Sequence, residues 1–469
     1  MPDLTSPAAI LRDIKSLLGP AGWIDGADAA PYLIDFFRRS EGPALLVARP
    51  AAVAEISELL RLCAAAGIAI VTQGGNTGMC AGAIPNAQRP TIVLSMQRMN
   101  RLISVDPVCY TATAEAGCII QTIQEAAASV NRLFAPDWGG RGTATLGGAI
   151  STNAGGINVL RYGNTREQVL GLEAVLPDGR VWDGLRSLRK DSSGYDLKQL
   201  FIGGEGTLGI ITKAVVRLHP RPTNVQTLFG AVPDLDRLME LFVTARDVLS
   251  DSLSAFELIP GSTYEMALRQ NQTLRRPLDA RSDWYVLIRA SGNDDISARL
   301  EALFATAAEA GLLADAALAS SQAQEANLWT IRDEIPAGMV LKGKMLKWDA
   351  SVPIDRIIAF LHDVEATADA LQPGTATYAF GHVGDGNLHL SIFPRPDTDK
   401  AGFAAMESAI DRVIWSYRGS ICAEHGIGAL NHGRILGQKP AIEFELMGRI
   451  RAMFDPNGLL NPGKFIDPA

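Results

Sequence analysis

Four of the chain's histidines, His382, His389, His425 and His432, fall between residues 382 and 432. An imidazole is both an acid–base group that titrates near neutrality and a common metal ligand. The segment YAFGHVGDGNLHLSIF (378–393) reads as a strand, a turn at Gly384-Asp385-Gly386-Asn387, and a second strand. His382 and His389 stand on either side of that turn, so both rings can converge on one point. Cys422-Ala423-Glu424-His425-Gly426 adds a carboxylate beside another imidazole. Two histidines and one carboxylate suit a divalent metal that keeps a position open for water or substrate. The HxxxxxxH spacing is not by itself a metal motif, so a metal site and a hydrogen-bonded hairpin both fit these residues. Arg332 in WTIRDEIP and Lys347 in KMLKWDASVP lie nearby in sequence. Most such charges are solvated. They gain interest because an anionic substrate needs counter-charges in a chain of net charge −8.

Three glycine-dense turns precede residue 222, at 74–82, 139–156 and 203–209. Glycine lets backbone N–H groups approach a phosphate without a Cβ clash. Any one segment reads most simply as a tight turn. Three together, interleaved with Asn76, Thr77, Thr143, Thr152 and Asn153, point to an extended nucleotide site. Gly204-Glu205-Gly206-Thr207-Leu208-Gly209 matches GxGxxG literally, but the next residues, IITKAVVRL, are strand-like. A dinucleotide fingerprint needs a helix there and an acid about 20 residues on, where this chain has Phe229. A classical NAD site is therefore excluded. With no GxxxxGK[ST] loop, so is a P-loop NTPase.

The elements that must carry these residues are legible in outline. Val53, Ile56, Leu59, Leu60 and Cys63 recur at helical spacing within a predicted helix over 50–67, and 118–130 repeats the pattern. Residues 68–72, 91–95 and 111–117 read as strands, 169–182 as a hairpin, and 210–218 as a strand after a glycine turn. Past HPRPT (219–223) glycine thins out, and helices over 297–318 and 354–371 alternate with strands such as 284–290. A domain boundary is placed near residue 222.

Length and composition bound the function. A prior of about 150 residues per domain allows roughly three domains in 469 residues. An apolar share of 47% with 20% charged residues is ordinary globular usage and excludes a disordered, coiled-coil or collagen-like chain. Acids outnumber bases 51 to 43, which argues against a nucleic-acid partner. The five cysteines are odd in number and form no CxxC pair. That disfavours iron–sulfur and zinc-ribbon sites and favours a reducing compartment. No apolar run reaches the roughly 18 residues of a membrane span, and the N-terminus lacks a signal-peptide core. The expectation is a cytoplasmic protein, or one peripheral at the inner membrane.

Six motifs occur in a fixed order: QGGNTG (73–78), PDWGGRGTATLGGAISTNAGG (136–156), GEGTLGIIT (204–212), GHVGDGNLH (381–389), AEHGIG (423–428) and NPGK (461–464). Together they resemble the FAD-dependent D-2-hydroxyacid dehydrogenases of the vanillyl-alcohol oxidase superfamily, over nearly the whole chain. That resemblance implies an α+β architecture. A helical lead-in (1–41) precedes a two-subdomain PCMH-type FAD-binding domain (42–221). A cap domain with a ferredoxin-like sheet (222–425) follows, and a C-terminal segment (426–469) returns to the FAD domain.

By the same resemblance, Gly74, Gly75, Asn76, Thr77 and Gly78 hold the FAD pyrophosphate. Pro136, Thr143, Gly147, Gly148, Thr152 and Asn153 line a second FAD segment. Glu205, Gly209 and Ile210 run along the adenine and ribose, and Asn461 reaches back to the flavin. The first glycine loop lacks the histidine of covalent-flavin members, which implies non-covalent FAD. His382, His389 and Glu424 match the ligands of a divalent metal, Zn²⁺ or a similar ion. His425 matches the general base, and Arg332 and Lys347 the clamp on the substrate carboxylate. Members acting on 2-hydroxyglutarate tend to carry Thr where this chain has Pro336 and Asn where it has Ser391, a further substrate-site position. The implied reaction is metal-assisted removal of the hydroxyl proton by His425 with hydride transfer from Cα to flavin N5. The implied acceptors are a quinone, an electron-transferring flavoprotein or a cytochrome, and a homodimer is compatible. The alternatives are a flavin-dependent alcohol or aldonolactone oxidase on the same scaffold, a catalytically idle flavin-binding subunit of a larger complex, which would need none of the His, Glu and Arg candidates, or a metal-dependent hydrolase built on the histidines. The hydrolase leaves the glycine segments unexplained.

Overall fold

The computed structural model describes residues 7–466. The chain divides into two compact units. One runs through Gly156, over Gly163–Arg221 and from Glu424 on; the other comprises Ile157–Tyr162 and Pro222–Ala423.

The first unit opens with helix α1 (Pro7–Leu18) and strand β1 (Trp23–Ile24). Strands β2 (Val47–Ala48), β3 (Ala69–Gln73) and β4 (Thr91–Ser95) join β1 in a sheet of order β1-β2-β4-β3. The β2–β4 and β3–β4 pairings are parallel. Both β3 and β4 are buried almost throughout, which is why they read as unbroken apolar runs rather than alternating ones. Helix α2 (Val53–Ala66) buries Ile56, Leu59, Leu60 and Cys63 and ends at Gly67, whose φ of 64° supplies the left-handed cap. The C-terminal chain extends this sheet. Ile70 and Leu460 form a parallel bridge, Ile70 N–H donates to Leu459 O at 2.8 Å, and Asn461 N–H donates to Ile70 O at 2.8 Å.

A second sheet in this unit is antiparallel, in order β5-β6-β10-β8-β9. Its strands are β5 (Leu102–Asp106), β6 (Thr111–Glu115), β8 (Val169–Val175), β9 (Val181–Gly184) and β10 (Ile210–Arg217). Helix α3 (Ile120–Ser129) and the short helix α4 (Leu146–Thr152) accompany it. A Cβ on Gly147 would lie 2.6 Å from Ala116 Cβ, so only glycine lets α4 approach the sheet this closely. Two short strands, β7 (Arg132–Leu133) and β11 (His219–Pro220), pair separately.

The second unit is built on one seven-stranded sheet, β15-β12-β14-β13-β17-β18-β16. The strands are β12 (Asn224–Val232), β13 (Leu253–Pro260), β14 (Trp284–Gly292), β15 (Asp315–Leu318), β16 (Leu346–Ser351), β17 (Ala376–His382) and β18 (Asn387–Phe393). Helices α5 (Leu238–Leu249), α6 (Gly261–Gln270), α7 (Ile296–Glu309), α8 (Gln322–Val340), α9 (Ile357–Leu371) and α10 (Lys400–Ser416) pack with it. Tyr264 and Ala267 of α6 and Leu328, Ile331 and Ile335 of α8 share one core with Phe229, Leu287 and Phe380 of the sheet.

The predicted single helix over 297–318 is corrected. Helix α7 stops at Glu309, Gly311 turns at a φ of 66°, and Asp315–Leu318 pairs with β12 as the edge strand β15. The alanine-rich run satisfies helical spacing, but the open edge of β12 recruits its last residues.

Candidate functional site

The second unit carries Lys347, Ser391, His382 and His389 of the predicted substrate and metal set on one face of its sheet. Side chains directly opposite each other across a ladder share a face. Lys347 lies opposite Ser391, and Asp349 opposite His389. Tyr378 faces Ser391 and Phe380 faces His389. Glu257 pairs with His382. Period-two alternation therefore places Lys347, Asp349, His389, Ser391, Tyr378, His382 and Glu257 on a single surface. Helix α8, which shares a core with Phe380 on that surface, supplies Arg332.

Glu257 organises the centre of this surface. Its carboxylate is buried, accepts from Arg332 Nε at 2.9 Å and lies 2.6 Å from His382 Nδ1. Burial alone pushes a carboxyl up. Here the His382 and Arg332 charges win, and Glu257 is held down at about 2. Arg332 Nη2 also sits 3.2 Å from His382 Nε2, so both ring nitrogens have partners. The His382 and His389 rings are 5.3 Å apart, edge to face. His389 Nδ1 is 3.9 Å from Asp349 Oδ1, which accepts from Asn387 Nδ2 at 2.9 Å. Pro336 lies inside α8, where it cannot donate the helical bond to the Arg332 carbonyl four residues back. Lys347 is exposed, whereas Ser391 is buried.

In the first unit, Glu424 accepts from Gly156 N–H at 2.9 Å and lies 3.6 Å from His425 Nε2; both side chains are partly exposed. The remaining histidine of the cluster stands elsewhere, with His432 Nδ1 3.0 Å from Phe465 O.

Part of the predicted FAD set, Gly74 and Gly75 with Thr143, meets at the end of β3. Gly74 and Gly75 leave that strand so close to residues 143–145 that a Cβ would sit 2.2 Å from Thr145 Oγ1 or 2.0 Å from Thr143 O. Asn76 takes a φ of 53° and donates to Ile34 O at 2.9 Å. Open space surrounds the Cα of Gly78. Thr72 Oγ1 and Thr145 Oγ1 are buried beside these loops without hydrogen-bond partners. Buried hydroxyls are normally satisfied, so orphaned oxygens against a glycine cradle fit a bound polar group such as a dinucleotide. Thr152 Oγ1 donates to Gly148 O, and Asn153 Oδ1 accepts from Arg166 N–H.

Glu205 behaves differently from a ribose ligand. Its buried carboxylate accepts from the N–H groups of Ile427 (2.6 Å) and Gly428 (2.8 Å). Its backbone, at a φ of 48°, offers a carbonyl to Asn461 Nδ2 at 2.7 Å. Lys464 donates to Asn461 Oδ1 at 2.8 Å, and burial pushes its amine down to about 7. Burial also pushes Glu205 up, despite its two N–H donors.

Sequence reasoning missed Glu257 and Asp349. Both left a signal. Glu257 is the lone acid in the otherwise apolar and hydroxyl-bearing run LSAFELIP, and Asp349 follows Lys347 at strand period.

Comparison with known proteins agrees with the resemblance. Residues 44–184 match the FAD binding domain family, and residues 221–465 the C-terminal domain of FAD linked oxidases. A probable mitochondrial D-2-hydroxyglutarate dehydrogenase of Oryza sativa subsp. japonica is 35% identical, covering 96% of this chain and 80% of that protein. The mitochondrial D-2-hydroxyglutarate dehydrogenase of Bos taurus is 35% identical, covering 94% and 80%. A D-2-hydroxyglutarate–pyruvate transhydrogenase of Saccharomyces cerevisiae is 34% identical, covering 94% and 90%. Two solved structures share the fold. Alkyldihydroxyacetonephosphate synthase matches at TM-score 0.74 and 17% identity over 97% of this chain and 85% of that one. Substrate-bound p-cresol methylhydroxylase matches at 0.76 and 14% over 98% and 97%. The architecture is thus α+β with a PCMH-type FAD-binding fold. The cytoplasmic expectation is overturned, because relatives from rice, Arabidopsis thaliana and cattle are named mitochondrial. The reducing-compartment reading of the cysteines does not distinguish a cytosol from an organelle. Among the described residues no helix is long and apolar enough to cross a membrane.

The Glu257 charge network gives a pH prediction. A depressed carboxyl stabilises the fold fully above its ordinary value of 4.5, and that contribution is lost as pH falls towards about 2. Glu257→Gln should lower stability at neutral pH and flatten the acid limb of the unfolding free energy between pH 4.5 and 2. An acid limb as steep as that of the parent protein would remove Glu257 from this role.

Proposed function

Because the chain belongs to the FAD-linked oxidases, in the branch of D-2-hydroxyglutarate and D-lactate dehydrogenases, we propose that this FAD-dependent oxidoreductase oxidises a D-2-hydroxy acid to the 2-oxo acid. The observation that carries the reading is the one sheet face bearing Lys347, His382, His389 and Ser391 around a buried Glu257, to which helix α8 brings Arg332. Two cations and a hydroxyl suit a substrate carboxylate, and imidazoles suit acid–base work and metal ligation.

In this reading Arg332 and Lys347 hold the carboxylate and fix how Cα is presented. His425, beside Glu424, takes the hydroxyl proton. FAD, held by residues 74–78, Pro136, Thr143, Gly147, Gly148, Thr152, Asn153, Gly209, Ile210 and Asn461, supplies the hydride acceptor when bound. His382, His389 and Glu424 are the donor set for a divalent cation, zinc by the resemblance, which would act on the hydroxyl as a Lewis acid. Glu257 at His382 Nδ1 supports this assignment, since a carboxylate that holds the Nδ1 proton leaves Nε2, once it gives up its own proton, as the ligating atom. Arg332 occupies Nε2 in this structure, so it must turn away as a ligand arrives, and a substrate carboxylate is the partner it would turn to.

The names of the relatives favour 2-hydroxyglutarate, whereas Pro336 and Ser391 depart from that pattern. The substrate class is therefore D-2-hydroxy acids, with lactate and longer acids included. Quinone, electron-transferring flavoprotein and cytochrome remain the acceptor classes, and the yeast relative's name adds a 2-oxo acid such as pyruvate. A homodimer is part of the same proposal.

His425→Ala should keep the yellow FAD spectrum and lose ~10²–10⁴-fold in kcat. Unchanged turnover would remove His425 as the base. Chelation should abolish turnover and added Zn²⁺ restore it, while full activity of the metal-free protein would reject the ligand set.

A further inference from the structure

A charged cavity lies in the first unit, at the end of β10 farthest from its glycine turn. Its volume is about 360 Å³, and Tyr110, Arg189, Arg217, Leu218, His219 and Pro220 line it. Arg217 is the last residue of β10, opposite Thr111. Arg189 comes from the exposed segment 186–197. Leu218 N–H donates to Tyr110 O at 2.7 Å, which ties the two walls together. Behind Tyr110, the Arg132 guanidinium stacks on the ring at 4.1 Å.

Neither lining arginine has an ion-pair partner among the described residues, and Arg217 Nε is buried without a hydrogen-bond partner. By strand register the nearest acid on that face is Asp106, through Thr111. Its Oδ1 is turned back to accept from the N–H groups of Val108 (2.8 Å) and Cys109 (2.9 Å). Arg217 is half-buried and Arg189 exposed, so the cavity presents two cationic side chains and no counter-charge in a chain of net charge −8. Such an arrangement is stable when an anion completes it.

We propose that this cavity is a binding site for a phosphate group, carried by a small phosphorylated metabolite and separate from the flavin site. Two planar guanidinium forks match the oxygens of a phosphate and can engage it bidentately. His219 adds a third polar wall, its Nε2 2.8 Å from Gln168 Oε1, and Tyr110 an aromatic one. The separation rests on the assignment of FAD to residues 74–78, 143–153 and 209–210. Ile210 and Arg217 are seven residues apart on one strand, or about 23 Å at ~3.3 Å per residue.

The test uses the FAD-loaded protein and inorganic phosphate. Titration calorimetry at constant ionic strength, with chloride as the reference anion, should give a saturable signal for phosphate. Arg217→Gln and Arg189→Gln should each weaken it about 10–100-fold, the scale of a lost charge-assisted hydrogen bond, with flavin content and turnover unchanged. Arg189→Gln, on an exposed segment, keeps the test valid if Arg217→Gln folds poorly. A non-saturating signal, one equal to that of chloride, or unchanged binding in Arg189→Gln would overturn the proposal. So would loss of FAD in place of loss of phosphate, which would assign the cavity to the cofactor; a flavin site located elsewhere leaves the phosphate result standing.

Discussion

A carboxylate buried in an apolar strand cannot stay charged unless cations come to it. Glu257 meets that constraint with Arg332 from α8 and His382 from β17. One charge thereby ties helix α8 to two strands and fixes which nitrogen of His382 faces away from it. The pairing contributes less to net stability than to position, because desolvation offsets much of the Coulombic gain. What it sets is the orientation of the two groups that the proposed chemistry needs most, a guanidinium for the substrate carboxylate and an imidazole for the cation.

The first unit uses the same device for a different end. Glu205 is buried, receives two backbone N–H groups from 427–428, and lies under Asn461 and Lys464. Its role is to hold the returning C-terminal segment and the loop after His425 in place. That loop begins at Glu424, itself fastened to Gly156 of the second glycine segment. The glycine loops, the proposed base and the C-terminal NPGK segment are therefore parts of one hydrogen-bonded assembly.

Much of this was legible in residue order. The strand–turn–strand around His382 and His389 follows from alternation and from the glycines of the turn, and β17 and β18 lie where it says. The rejection of a Rossmann site from strand character after Gly209 matches β10. Local patterning did not reveal which acids would face the histidines. Asp349 is opposite His389 and Glu257 opposite His382 only through pairing across the sheet, and sheet order is a non-local property. The same limit explains β15, an alanine-rich stretch claimed by an open strand edge. Glu205 shows the converse, since its motif pointed to a nucleotide contact, whereas its carboxylate is spent on backbone N–H groups.

If this FAD-dependent oxidoreductase takes a hydride from a D-2-hydroxy acid, that acid must reduce its flavin in the absence of oxygen. Anaerobic mixing of the purified yellow protein with paired D- and L-2-hydroxy acids, followed by flavin absorbance, tests it most directly. At least one D-acid, among lactate and 2-hydroxyglutarate, should bleach the flavin while its L-enantiomer does not. Bleaching by simple alcohols or aldonolactones with no response to any 2-hydroxy acid would contradict it.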